Sequence, residues 1–180
     1  MIKKLILIIM IFGFTSNVSA NYNQLAYDFN FISIDGNKID LKDYKNKVIV
    51  VVNVASRCGY TPQYKDLQSL WSTYKNDVVV IGVPTNNFKQ EPKDNAEIKK
   101  FCETNFGITF PMSEKMDVIG SDAHPFFKWA KKNHGIAAIP KWNFHKIVIG
   151  KDGKVADTFA SFTKPSSKKF LNVIKKEIKS

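Results

Sequence analysis

The chain has 180 residues, 44% of them hydrophobic and 13% aromatic, with 9 Gly and 7 Pro; that is the composition of one globular domain with a sizeable core and excludes a low-complexity chain. Its 27 basic residues exceed its 16 acidic ones, for a formal charge of +11. The excess is almost all lysine, spread along the chain with Arg57 as the sole arginine, so it reads as a solvated surface and not as a nucleic-acid interface, with attraction to an anionic membrane surface as the sharper alternative.

In chain order, the first element expected is a leader. Lys3 and Lys4 precede an apolar run, Leu5 to Phe14, followed by polar residues and Val18-Ser19-Ala20, the pattern of a signal peptide over residues 1–20. The run is short of the ~20 apolar residues that span a bilayer, so the expectation is cleavage near Ala20 and an exported, periplasmic or secreted domain over 21–180; an uncleaved anchor is the alternative. Loss of Lys3 and Lys4 would take the basic count from 27 to 25 against 16 acids, a formal +9.

The remainder alternates between strand and helix signals. Phe29 to Ile34, Asp35-Gly36-Asn37 and Lys38 to Leu41 predict a hairpin, because Asp-Gly tolerates the positive φ of such turns. Lys47 to Ala55, a β-branched run without polar alternation, predicts a central strand buried on both faces. Tyr64, Leu67, Leu70, Trp71 and Tyr74 recur at helical spacing, with Pro62 near the first turn. Val78 to Pro84 is a second buried strand. Asp94-x-x-Glu97 has the form of a capping box for a helix through Ile98, Phe101 and Cys102 towards Gly107. A third helix over about Asp122 to Asn133, strands over Phe144 to Ile149 and Val155 to Phe159 around the Lys151 to Lys154 turn, and an amphipathic helix from Pro165 complete the order. The class is α/β, with a mixed sheet flanked by helices.

Of the two cysteines, Cys58 falls between the first buried strand and its following helix, where functional groups of such sheets collect. A helix N-terminus and the neighbouring Arg57 favour thiolate over thiol. Thioredoxin-type exchange would need a second cysteine at position 61, which is Thr61, so the pattern points to a single attacking sulfur. On the residues alone, two plainer readings stay open: a small buried hydrophobe, or half of a structural disulfide with Cys102. His124, His134 and His145 lack metal-ligand spacing, and no Gly-rich phosphate loop is present, so neither metal nor organic cofactor is expected.

Four separated blocks carry a family likeness: NVASRCGYTPQYKDL from Asn53, PTNNFKQEP from Pro84, FPMSEKMDVIG from Phe110 and KWNFHKIVIGKDGKV from Lys141. Together, over about Phe29 to the C-terminus, they resemble the glutathione peroxidase family in its cysteine form. The resemblance implies a thioredoxin-like fold and a thiol peroxidase that reduces hydrogen peroxide and organic or lipid hydroperoxides. It makes Cys58 the peroxidatic residue, with Trp142 and Asn143 as donors beside the sulfur. Where the family has Asn-Gln-Phe, this chain has Asn86-Asn87-Phe88, in a loop one residue shorter. Asn87 is therefore the expected fourth member, with Asn86, Gln90 or water as the substitutes. The segment FCETNFGITFP resembles that of the resolving cysteine in the thioredoxin-dependent branch, which assigns Cys102 to resolution and a thioredoxin-like protein or glutathione to recycling. A monomer with an open site is implied. Two other roles stay open: a peroxide sensor or relay passing oxidising equivalents to a client thiol protein, and a non-catalytic domain stapled by a Cys58–Cys102 disulfide.

Overall fold

Where the sequence is least polar, the sheet is most buried. In the computed structural model, which describes residues 22–180, strand β3 (Val48–Val54) is buried at every position, and so is β4 (Val78–Pro84). The expected signal peptide lies outside the described residues. Before β3 come the short strands β1 (Asn30–Ile32) and β2 (Lys38–Asp40), an antiparallel pair separate from the main sheet. Gly36 takes a φ of 84° in their turn, as the Asp-Gly signal requires.

The main sheet runs β4-β3-β5-β6, where β5 is Lys146–Ile149 and β6 is Val155–Phe159. Strands β3 and β4 are parallel, with Val50 opposite Val80, and are connected through helix α1 (Gln63–Tyr74). Strand β5 is antiparallel to both β3 and β6, so the sheet is mixed. Helix α2 (Asn95–Phe106), α3 (Pro125–His134) and α4 (Lys168–Lys179) complete the order.

Two apolar layers sandwich the sheet. Val48, Val50 and Val52 pack with Tyr64, Leu67, Ile98, Phe170 and Ile174, from α1, α2 and α4. Ile49, Val51 and Ile81 pack on the other face with Phe31, Leu41, Phe126 and Trp129. Burial of each large apolar side chain contributes about 1.5–3 kcal/mol. Among the described residues no helix is long and apolar enough to cross a membrane.

Of the boundaries that differ from expectation, three have a clear local reason. Helix α3 begins at Pro125 and not near Asp122, because proline is suited to the first turn and the His124 ring nitrogen accepts the Phe126 N–H. Strand β5 begins at Lys146 and not at Phe144, because Phe144 has a φ of 63°, outside the β region. Helix α4 begins at Lys168 and not near Pro165, its cap being Ser167, which accepts from the Phe170 N–H. The capping box of α2 is formed as expected: Asp94 accepts from the Glu97 N–H at 2.9 Å while the Glu97 carboxylate accepts from the Asp94 N–H.

Candidate active site

Strand β3 ends in Val54 and delivers Ala55, Ser56, Arg57 and Cys58 to the carboxyl edge of the sheet. Cys58 is buried, at 7% exposure, and its sulfur accepts a hydrogen bond from the Tyr60 N–H at 3.4 Å. Thr61 stands where a C-x-x-C motif would carry its second cysteine, and it ties the loop. Its hydroxyl accepts from the Cys58 N–H at 3.1 Å and donates to the Ala55 carbonyl at 2.8 Å. Arg57 is exposed and makes no ion pair among the described residues, so its side chain contributes no anchored charge here.

The loop is held from the other side by Gln90 and Glu91. The Arg57 N–H donates to the Gln90 carbonyl at 3.0 Å. The Glu91 carboxylate, fully buried, accepts from the Ser56 N–H at 2.7 Å and the Ser56 hydroxyl at 2.6 Å. A buried carboxylate is tolerable only when its lone pairs are met in this way.

Trp142 and Asn143 come to this edge through Asn53, the one polar residue of β3. The Asn53 amide donates to the Trp142 carbonyl at 3.1 Å and accepts from the His145 N–H at 3.1 Å, while the Phe144 N–H donates to the Asn53 carbonyl at 2.6 Å. The left-handed Phe144 reverses the chain between these contacts. Asn143 is fully buried; its amide nitrogen donates to Gln90 Oε1 at 2.9 Å, and its oxygen has no partner among the described residues. Trp142 remains 41% exposed, with its ring 5.5 Å from that of Phe88. Its indole N–H has no acceptor among the described residues.

Asn87 is engaged elsewhere. Its amide oxygen accepts from the Val118 N–H at 2.7 Å and the Thr85 hydroxyl at 2.9 Å, and its nitrogen donates to Asp117 at 2.6 Å. The side-chain amide that meets Asn143 is Gln90, one of the substitutes considered above. The turn responsible contains Lys89 at a φ of 57° and is closed by the Lys89 N–H to Asn86 carbonyl bond at 2.9 Å. The clamps made by Asn53, Thr61 and Glu91 were not singled out from the sequence. For Asn53 a signal existed, an amide inside a β-branched run.

Cys102 lies on α2, 2% exposed, in the same apolar layer as Cys58, and both are free thiols. Burial, with further contributions from Glu91 and Glu103 and an opposing one from Tyr64, pushes the Cys102 thiol up to about 11. No group of three or more His, Cys, Asp or Glu able to hold a metal ion occurs among the described residues.

Residues 26–131 match the family model described as glutathione peroxidase. The chain belongs to the glutathione peroxidase family. It is a cysteine-type member, a peroxidase-class oxidoreductase. It is 42% identical over 143 residues to a glutathione peroxidase of Lactococcus lactis, covering 77% of this chain and 91% of that one. It is 41% identical over 158 residues to the hydroperoxy fatty acid reductase gpx1 of Synechocystis, covering 82% and 94%. The glutathione peroxidase-like peroxiredoxin HYR1 of Saccharomyces cerevisiae is 44% identical over 138 residues, covering 73% and 84%. Among solved structures, the crystal structure of Trgpx in apo form superposes with a TM-score of 0.70 at 39% identity, covering 88% of this chain and 97% of that one. A thioredoxin-family thiol:disulfide interchange protein of Chlorobium tepidum, at 17% identity and a TM-score of 0.59 over 83% of this chain and 92% of that one, shares the thioredoxin-like fold.

A pH effect follows from a residue beside the site. Burial, reinforced by the Lys146 charge, pushes His145 down to about 4, and its Nε2 has no partner among the described residues. The folded protein therefore resists protonation that the unfolded chain accepts near pH 6.5, so stability present above that pH is lost as pH falls towards 4. His145→Leu should shrink the stability difference between pH 7 and pH 4.5 by about 2 kcal/mol in urea titrations. An unaltered difference would place the acid sensitivity elsewhere.

Proposed function

We propose that this enzyme reduces hydroperoxides by a two-cysteine cycle. The Cys58 thiolate attacks the terminal peroxide oxygen, the O–O bond breaks, water or an alcohol departs, and the sulfur is left as a sulfenic acid. The Cys102 thiol then displaces that hydroxyl as water, forming a disulfide, and a thioredoxin-like dithiol or glutathione returns both sulfurs to thiols. The observation that carries the reading is that the Cys58 loop and the Trp142-Asn143 turn are both tied to Gln90, through its backbone carbonyl and its side-chain oxygen, which leaves the Trp142 indole N–H and the second amide N–H of Asn143 as donors at this edge. Such donors stabilise the anionic sulfur and the departing oxygen.

The rim of this edge favours bulky peroxides. Phe162, 73% exposed, shares a depression with Tyr60, Pro62, Lys65, Asp66 and Lys164 beside the Cys58 loop, so its lysines outnumber its one carboxylate. The exposed Trp142 and Lys141 lie at the same edge. Apolar rings beside lysines suit an acyl hydroperoxide or an anionic lipid surface, in keeping with the name of the Synechocystis relative. The leader read in the sequence supports an exported enzyme.

The test is a steady-state assay with hydrogen peroxide and a fatty acid hydroperoxide, each with thioredoxin or glutathione; no turnover with either peroxide would refute the proposal. Trp142→Phe and Asn143→Ala should each slow sulfenate formation several- to a hundredfold in stopped flow, the effect of about 1–3 kcal/mol per lost donor. Unchanged rates at matched stability would make those side chains structural only. Gln90→Ala should slow the same step more than Asn87→Ala does, because Gln90 holds Asn143 whereas Asn87 holds the Asp117 to Val118 loop. The reverse order would return Asn87 to the reacting group.

A further inference from the structure

One buried polar atom near the two cysteines has no part in the scheme above. Tyr64, in the first turn of α1, is fully buried, and its hydroxyl makes no hydrogen bond of good geometry among the described residues. Its ring lies 5.2 Å from that of Phe106, the last residue of α2, and 5.4 Å edge-on from Phe144, which follows Trp142 and Asn143. The hydroxyl lies beside the Cys102 sulfur, a weak acceptor, and pulls that thiol's pKa down, but the contact lacks the geometry of a hydrogen bond.

Helix α2 is weakly seated around this pair. Only Ile98 and Cys102 of its twelve residues are fully buried; Lys100, Glu103, Thr104 and Asn105 face solvent. The closed helix keeps both a thiol and a phenol in an apolar layer, where a hydroxyl without a partner is disfavoured. When the last turns of α2 detach, the hydroxyl gains water at the same moment as Cys102 is released.

We propose that Tyr64 is a positioning residue for the resolving step, its unpartnered hydroxyl biasing the C-terminal half of α2 towards opening so that Cys102 can reach oxidised Cys58. This rests on the two-cysteine reading. In the step itself the Cys58 S–O bond breaks and the Cys58–Cys102 S–S bond forms. The hydroxyl leaves with the Cys102 thiol proton as water, and the hydroperoxide already consumed is the only oxidant.

The test is Tyr64→Phe in the full chain, which keeps the ring and removes the one oxygen. In the reduced protein, without peroxide, hydrogen exchange of amides from Cys102 to Gly107 should slow roughly tenfold while β3 amides stay unchanged. In a single turnover with hydrogen peroxide, sulfenate should form at the wild-type rate, disulfide formation should slow roughly tenfold, and the sulfinic fraction of Cys58 should rise. A purely structural tyrosine would give the opposite, faster exchange in α2 together with a lower unfolding midpoint. Faster or unchanged exchange, or unchanged disulfide formation, overturns the proposal. If wild type forms no Cys58–Cys102 disulfide, the two-cysteine reading fails and the role in resolution fails with it; a disulfide in wild type whose rate is insensitive to Tyr64→Phe refutes this proposal alone.

Discussion

Cys58→Ser should lower peroxide reduction by on the order of a thousandfold or more, to the background of free peroxide, with the fold intact. Oxygen for sulfur is nearly isosteric, and the loop does not depend on the sulfur. It is held by the Thr61 hydroxyl between the Cys58 N–H and the Ala55 carbonyl, and by the Glu91 carboxylate on Ser56. The Tyr60 N–H that points at sulfur can serve a hydroxyl oxygen equally well. What is lost is the nucleophile: a thiol reaches its anion near neutral pH, whereas a serine hydroxyl needs a general base. Among the described residues no histidine or carboxylate is hydrogen-bonded to this side chain, so none replaces the ionisation. The measurement is turnover against both peroxides alongside thermal unfolding of the variant. Retained turnover at more than about a tenth of wild type would mean that another group reacts with the peroxide.

Cys102→Ser should consume one equivalent of peroxide at the wild-type rate, lose thioredoxin-supported turnover by about a hundredfold, and accumulate sulfenic and then sulfinic Cys58. The geometry makes this the more demanding claim. A disulfide needs Cα atoms within about 7 Å, and α2 is closed at both ends: by the Asp94–Glu97 box, and by Gly107 at a φ of 59°, whose N–H donates to the Glu103 carbonyl at 3.0 Å. Inside that helix the Cys102 thiol titrates at about 11, so at neutral pH almost none of it is thiolate. Release into water returns a cysteine to about 8.5 and raises its thiolate fraction by roughly two orders of magnitude. Opening therefore supplies both reach and reactivity. What resists it is modest. Lys99 pairs with Asp35 at 2.7 Å, but both side chains are well exposed, at 40% and 51%, and solvent-screened pairs of this kind contribute little. Mass spectrometry after a stoichiometric peroxide pulse, followed by thioredoxin-coupled assay, decides the point. Normal cycling of Cys102→Ser would show that an external thiol attacks Cys58 directly and that Cys102 is a core residue.

The amino-acid sequence by itself determined the elements whose signals are local. The β-branched runs before Cys58 and before Pro84 could bury only as central strands. Asp94 and Glu97 are three residues apart and satisfy each other's N–H groups in any context. Cys58 was placed at the edge of the sheet by the end of one such run and the start of a helical period. The family blocks added Trp142 and Asn143 as candidates. Tertiary structure alone decided which amide meets them. Asn87 and Gln90 are both plausible in a linear reading, and the choice depends on the left-handed turn at Lys89 and on Asp117 and Val118, some thirty positions away, which occupy Asn87. The same holds for Asn53, whose amide joins β3 to residues about ninety positions later, and for Tyr64, whose helical spacing marks it as core without showing that its hydroxyl is stranded against Cys102. Backbone elements follow from neighbours along the chain, whereas the direction of a polar side chain is set by whichever distant partner can satisfy it, and that partner exists only once the chain has folded.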